Sequence, residues 1–141
     1  METFAVLGAS SFSGMWFSNE VLRRGGRVIA LGRREKLLPQ FVTPLVIDSS
    51  NFNYLSCDLN HDYELISDLC CSADYVVNFA AQGMVAQSWD HPADWYQTNV
   101  VAQVKFHDLL RRSTRLKKYV HVTTPEVYGS TEGWIKEDSS F

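Results

Sequence analysis

With 141 residues, 45% of them hydrophobic and 21% charged, the chain is long enough for one domain with a real core and has an ordinary globular composition. A net charge of −3, with lysines and arginines scattered in small pairs, gives no reason to expect a nucleic-acid partner. No apolar run reaches the length of a membrane span, and the opening Met1-Glu2-Thr3-Phe4 lacks a signal-sequence pattern. Cys57, Cys70 and Cys71 lack metal-ligand spacing, so no metal is expected, and a reducing cytoplasm fits best.

Strand-like apolar runs alternate with helical patterns from the first residues. Phe4-Ala5-Val6-Leu7 reads as a short buried strand, and about Ser13 to Arg24 as a helix stopped by Gly25-Gly26. Arg27-Val28-Ile29-Ala30-Leu31 is a second strand. Residues 35–51 are irregular, with Pro39 and Pro44, and Leu45-Val46-Ile47 reads as a possible short strand. Phe52 to Cys57 is another strand, followed by a helix from about Asp62 to Cys71, on which Cys70 and Cys71 pack. Tyr75-Val76-Val77-Asn78-Phe79 is the next strand. A loop then leads to a long helix from near Pro92, well suited to a first turn, to about Arg112, and Tyr119 to Thr123 forms the last strand. This alternation predicts an α/β fold: a Rossmann-type, doubly wound parallel sheet. The last residues, Lys136-Glu137-Asp138-Ser139-Ser140-Phe141, finish no obvious element. Such a sheet needs its outer strands and covering helices, so the chain is expected to be incomplete at its C-terminus: the N-terminal dinucleotide-binding portion (1–141) of a longer protein.

After the first strand comes Gly8-Ala9-Ser10-Ser11-Phe12-Ser13-Gly14, then a helix. In that strand–turn–helix context Gly8 allows a tight turn, Gly14 allows close helix–strand packing, and the amides at the helix start face a pyrophosphate. Gly8, Ser11, Phe12 and Gly14 are therefore cofactor-binding candidates, against the plainer reading of an ordinary βα turn. An acidic residue at the end of the second strand would bind the ribose hydroxyls of NAD. The chain has Gly32-Arg33-Arg34 there, which favours the 2′-phosphate of NADP over NAD, unless both arginines are simply solvated.

Thr123-Thr124-Pro125-Glu126-Val127-Tyr128-Gly129 follows the last strand. Function concentrates where a parallel strand gives way to its loop, and here Thr124 and Glu126 can offer one ligand a hydrogen-bond donor and a general base. A capped turn is the plainer alternative.

These segments together resemble the extended short-chain dehydrogenase/reductases, the sugar-nucleotide epimerase/dehydratase group. The markers are Gly8-x-x-Ser11-x-x-Gly14, Cys57-Asp58-Leu59, Asn78-Phe79-Ala80-Ala81-Gln82, Thr98-Asn99-Val100 and the Thr123–Gly129 segment, spread over essentially the whole chain. The resemblance implies that Asp58 and Leu59 meet the adenine end of the cofactor. It implies that Ala80, Ala81 and Gln82 line the pyrophosphate and nicotinamide-ribose region. Asn99 would hold the long helix near the active site, Thr123 would lie beside the nicotinamide, and Thr124 would donate to the sugar. Gln82 to Trp89, as a loop, would form part of the sugar-nucleotide pocket. Glu126 would be the base of a 4,6-dehydratase, removing the C5 proton after oxidation at C4. A homodimer and a nucleotide-sugar substrate are implied as partners. The histidines are expected at the surface or in packing, and the tryptophans in the core or an interface.

Three departures qualify the resemblance. Pro125 stands where dTDP-glucose 4,6-dehydratases place an acidic residue, whereas GDP-mannose 4,6-dehydratases have a serine there and a basic pair like Arg33-Arg34. Ser11 replaces the family's middle glycine. None of the six tyrosines is followed four residues later by lysine, so the family's catalytic Tyr-x-x-x-Lys pair is absent from these residues. A non-catalytic dinucleotide-binding module, a decarboxylase or epimerase of the same family, and a truncated, poorly folding product stand as alternatives.

Overall fold

A computed structural model describes residues 1–139; Ser140 and Phe141, the end of the polar stretch noted above, lie outside the described residues. Five strands form one parallel sheet: β1 (Thr3–Leu7), β2 (Arg27–Gly32), β3 (Phe52–Ser56), β4 (Tyr75–Asn78) and β5 (Lys118–His121), in the order β3-β2-β1-β4-β5. The α/β, Rossmann-type sheet expected from the sequence is therefore present. The order reverses between β1 and β4, because β2 and β3 are laid down to one side of β1 and β4 and β5 to the other. A parallel sheet of this kind opens a crevice at that reversal, beyond the carboxyl ends of the strands.

Both faces of the sheet are covered, which is why its central strands read as unbroken apolar runs. Val6, Val28 and Ala30 pack with Met15, Val21 and Leu22 of α1 (Phe12–Arg23) and with Val46 of α2 (Pro44–Asp48). On the opposite face Ala5, Leu7, Leu31 and Val76 pack with Ile66 and Cys70 of α3 (Tyr63–Cys71), and with Ala102, Phe106 and Leu110 of the last long helix. Cys57, Cys70 and Cys71 are all free, and burial pushes the Cys57 thiol up to about 11, so it stays protonated.

Helix α1 shows how local chemistry sets the ends. Ser11 is its N-cap, with its hydroxyl accepting from the Gly14 amide at 3.1 Å. At the other end the Gly25 amide donates to the Leu22 carbonyl and the Gly26 amide to that of Val21, both at 2.9 Å, with Gly25 at φ 79°. This is the paired closure that a left-handed glycine permits.

Two expected elements differ. Leu45-Val46-Ile47 lies in the helix α2, not a strand. Pro44 occupies its first turn, and its N-cap residue Thr43 bonds to Asn19 of α1, so the short apolar run packs as a helix. The segment expected as a loop after Gln82 contains α4 (Val85–Asp90). The long helix is built as α5 (Pro92–Tyr96), a π-helical turn (Gln97–Val101) and α6 (Ala102–Leu110). Trp16, Trp89 and Trp134 are exposed, which removes them from the core. None of the described helices is long and apolar enough to cross a membrane.

The end of the sheet opposite the crevice is tied by Asp74. Its carboxylate accepts from the Thr3 amide at 2.8 Å and from Arg115 at 3.2 Å, with Lys117 at 3.6 Å. The Thr3 amide first, then Arg115, hold this carboxyl below its ordinary range. A lowered carboxylate pKa contributes stability that is fully present above about pH 4 and is lost as the pH falls through the lowered value. The difference in melting temperature between the native chain and Asp74→Asn is therefore expected to be largest at neutral pH and to shrink towards pH 3. A difference that stays constant over that range would remove Asp74 from the acid response.

Candidate functional site

The crevice at the strand-order reversal is a cleft of about 440 Å³. Its floor is the turn between β1 and α1, with Gly8, Ser10 and Ser11. One wall comes from the ends of β2 and β3 with Gly32, Arg33, Arg34, Asp58 and Leu59, and the other from the end of β4 with Phe79, Ala80 and Ala81.

The glycines have definite work here. Gly8 has φ 72°, and a Cβ on it would stand 2.8 Å from the Phe79 carbonyl carbon and 2.9 Å from the Ala80 nitrogen. A Cβ on Gly14 would stand 2.4 Å from the Gly8 carbonyl oxygen. Both contacts are with backbone, so the turn can lie this close to the end of β4, and α1 this close to the turn, only without side chains. The result is a helix N-terminus at the cleft, with Ser10 and Ser11 in the lining beside Gly8.

The β4 wall is held by a buried polar network. Asn78 is fully buried, and its amide group donates to Gln103 Oε1 at 2.8 Å and to the Tyr119 hydroxyl at 3.0 Å. Its oxygen accepts from the Ala80 amide at 2.8 Å, while Gln103 Nε2 donates to the Ala80 carbonyl at 3.1 Å. One step along, the Asn99 carboxamide accepts from the Gln82 amide at 2.8 Å and donates to the Gln82 carbonyl at 3.0 Å. Asn99 sits in the π-helical turn, a feature often found at functional sites. It thus pins the loop from the side of the long helix. The Tyr119 hydroxyl bonds onward to His121 Nδ1 at 2.9 Å.

On the other wall the Asp58 carboxylate accepts from the Asn60 amide at 2.9 Å, an Asx turn after β3. Asn60 Nδ2 donates to the Thr98 hydroxyl at 3.1 Å, and Asn60 Oδ1 is buried without a hydrogen-bond partner.

Of the residues singled out in the sequence, Gly8, Ser11, Arg33, Arg34, Asp58, Leu59, Ala80 and Ala81 line the cleft together. Gly14, Gln82 and Asn99 stand behind it and shape it through the contacts just described. Phe12 is exposed at the start of α1 with its ring edge-on to Trp16 and Phe41. Thr123, Thr124 and Glu126 do not line the cleft. They follow β5 at the same edge of the sheet, exposed, with Thr124 preceding a 3-10 turn (Pro125–Tyr128) that carries Glu126. Val122 is tied to the end of β4 by a 2.9 Å bond from its amide to the Asn78 carbonyl. Ser10, Gly32, Cys57, Ile66, Phe79 and Thr98 also line the cleft without having been singled out as binding residues. Ile66 and Thr98 reach it from helices remote in sequence, Thr98 from the π turn and within the Thr98-Asn99-Val100 marker.

A family model described as GDP-mannose 4,6 dehydratase matches residues 6–141. The chain belongs to this family. That membership agrees with the dehydrogenase/reductase resemblance carried by the glycine turn and the loops after β3, β4 and β5. Among individual relatives, a dTDP-glucose 4,6-dehydratase of Streptomyces antibioticus is 35% identical over 132 residues, covering 90% of this chain and 38% of that protein. A UDP-glucose-4-epimerase from Stenotrophomonas maltophila, solved with NAD and formylated UDP-arabinopyranose, superposes with a TM-score of 0.83 at 17% identity, over 99% of this chain and 42% of that one. A UDP-N-acetylglucosamine 4-epimerase from Methanobrevibacter ruminantium M1, in complex with UDP-N-acetylmuramic acid, gives 0.82 at 20% identity, over 99% and 44%. At such identities these structures establish the shared fold. The chain spans about two fifths of the length of these proteins.

Proposed function

We propose that the chain is the dinucleotide-binding part of a nucleotide-sugar 4,6-dehydratase-like enzyme, taking NADP in preference to NAD. The observation that carries this reading is the cleft itself: a helix N-terminus reached through the glycine turn and a pair of exposed arginines face one crevice at the strand-order reversal. A dinucleotide fits the chemistry of that lining. Amides of the Gly8–Gly14 turn would hold the pyrophosphate. Arg33 and Arg34 would hold a 2′-phosphate, and Asp58 and Leu59 would meet the adenine, with Ile66 offering apolar contact. Ala80, Ala81 and Gln82, locked by Asn78, Gln103 and Asn99, would form the wall beside the nicotinamide ribose, with Thr123 nearby. A bound nicotinamide would supply hydride acceptance and return.

Thr124 would donate to the sugar and Glu126 would take the C5 proton, from a turn held at the same sheet edge by the Val122–Asn78 bond. A homodimer and a cytoplasmic setting belong to the same reading. A second reading is a dinucleotide-binding module without catalysis of its own, which a complete protein lacking Tyr-x-x-x-Lys would favour.

Calorimetric titration of the 141-residue chain tests the first reading. NADP+ and NAD+ are both expected to bind, NADP+ more tightly, with no turnover of dTDP-glucose or GDP-mannose. Failure of both to bind at millimolar concentration would overturn the cofactor assignment, and sugar-nucleotide turnover would overturn the assignment of the missing pair. In the longer enzyme this reading implies, Glu126→Gln is expected to keep dinucleotide affinity and abolish elimination. Retained elimination would leave Glu126 a structural residue, and the module reading would stand if the unaltered enzyme bound dinucleotide without turnover.

A further inference from the structure

The basic turn at the end of β2 is held in place by the neighbouring strand. Tyr54 projects from β3, and its phenol oxygen lies 2.6 Å from the Arg34 carbonyl and 3.2 Å from the Gly32 carbonyl. A phenol has a single proton to donate, and the shorter contact, to Arg34, takes it. Ser10 of the glycine turn stands beside the same phenol, across Gly32. These groups converge where Gly32 has no side chain: a Cβ there would lie 2.6 Å from Ser10 Oγ and 3.2 Å from the Tyr54 hydroxyl.

The rest of the turn is secured from the same strand and its end. The Cys57 amide donates to the Gly32 carbonyl at 2.9 Å, and the Ser56 hydroxyl reaches the Arg33 carbonyl at 3.5 Å. The backbone of residues 32–34 is thus fastened at each carbonyl. The guanidinium groups of Arg33 and Arg34 make no ion pair among the described residues, and both arginines are exposed and line the cleft. Burial raises the Tyr54 pKa, so the phenol keeps the proton it donates.

We propose that Tyr54 is a positioning residue for cofactor choice: by holding the Arg34 carbonyl against β3 it fixes the two guanidinium groups where a ribose 2′-phosphate would sit. This rests on the reading of the cleft as a nicotinamide-dinucleotide site. Guanidinium recognition of phosphate depends on the angle of the planar fork, so a loosened turn loses 2′-phosphate affinity first. The pyrophosphate amides on α1 do not depend on that angle, and NAD+, which lacks the 2′-phosphate, is the internal control.

The test is the ratio of NAD+ to NADP+ dissociation constants, measured calorimetrically on the 141-residue chain and its variants. Tyr54→Phe keeps the ring and removes the hydroxyl. It is expected to weaken NADP+ about fivefold and NAD+ by less than about twofold, the loss of one ordinary hydrogen bond expressed on one ligand only. Ser56→Ala, which touches no buried ring, is expected to move the ratio the same way by about twofold. Equal losses on both dinucleotides, or an unchanged ratio in both variants, would overturn the proposal and leave Tyr54 a packing residue. The double variant Arg33→Ala/Arg34→Ala separates the two levels. If it keeps the native ratio, the arginines do not read the ribose, and the NADP reading fails together with the proposal. If it abolishes the preference while Tyr54→Phe and Ser56→Ala do not alter it, the NADP reading survives and only the role of Tyr54 falls.

Discussion

Gly14→Ala is expected to lower stability by about 3 kcal/mol and to weaken dinucleotide binding by at least about tenfold. The added Cβ would stand 2.4 Å from the Gly8 carbonyl oxygen, 2.9 Å from Ala9 Cα and 3.0 Å from the Gly8 carbonyl carbon. All three atoms are backbone, so no rotamer can yield. Helix α1 must move off the sheet, and its movement pulls the Ser11 cap and the phosphate-facing amides with it. Gly25→Ala is the matched comparison. Unlike helical Gly14 it sits at a left-handed position, φ 79°, and nothing lies within 4 Å of the new Cβ. Its cost is conformational alone, about 1 kcal/mol, with binding unaffected. Urea unfolding and calorimetric titration of the two variants check the pair. Equal costs, or unchanged binding in Gly14→Ala, would show that α1 has room the packing denies it.

Asn78→Leu is expected to cost about 3 kcal/mol although it replaces a polar core residue by an apolar one of similar size. The substitution leaves the Ala80 amide and Gln103 Oε1 short of partners and takes from the Tyr119 hydroxyl one of its two bonds, that to His121 remaining. Leaving buried donors and acceptors unmatched costs more than the native bonds contribute, because their desolvation is no longer offset. Gln103→Leu alone removes a bond at each end of the same network. The double variant Asn78→Leu/Gln103→Leu should therefore lose less than the sum of the two single losses, since the second replacement removes a group the first had orphaned. Denaturant midpoints for the four proteins supply the cycle. Additive losses would mean that the two carboxamides act independently.

The sheet was legible in the sequence because buried parallel strands are apolar on both faces. Val28, Ile29, Ala30 and Leu31 offer no polar side chain to either layer of helices, and a run of that kind fits few other places. The glycine turn was legible for a related reason: Gly8 and Gly14 flank a strand end and a helix start at a fixed spacing. Leu45-Val46-Ile47 misled because three apolar residues fit a strand or one helical turn equally, and the decision came from Pro44 and from the contact of Thr43 with Asn19, a residue on another helix. Helix α4 carries no buried residue, so it has no amphipathic stripe to read.

The lining of the cleft was legible where it lies within one loop, as with Asp58-Leu59 or Ala80-Ala81. It was not legible where a side chain acts across the sheet. Asn78, Gln103 and Tyr119 are separated by 25 and 41 positions, and Tyr54 lies 20 residues from the carbonyl it holds. Periodicity says that such a residue is buried, but not which distant partner it meets.

The register of β1 with β4 pairs Leu7 with Asn78, so the two sides of the cleft join residues some seventy positions apart. The β1–α1–β2 unit contains the whole glycine turn and both arginines, yet the opposite wall exists only once β4 has docked. Closing so long a loop comes late relative to local pairing. During synthesis, then, the nascent chain passes through a stage that carries the glycine turn and both arginines and still has no enclosed cleft. A dinucleotide cannot template the early steps of folding and can only reward the finished sheet. Ligand present during translation would act on the completed domain by mass action, not as a scaffold for its assembly.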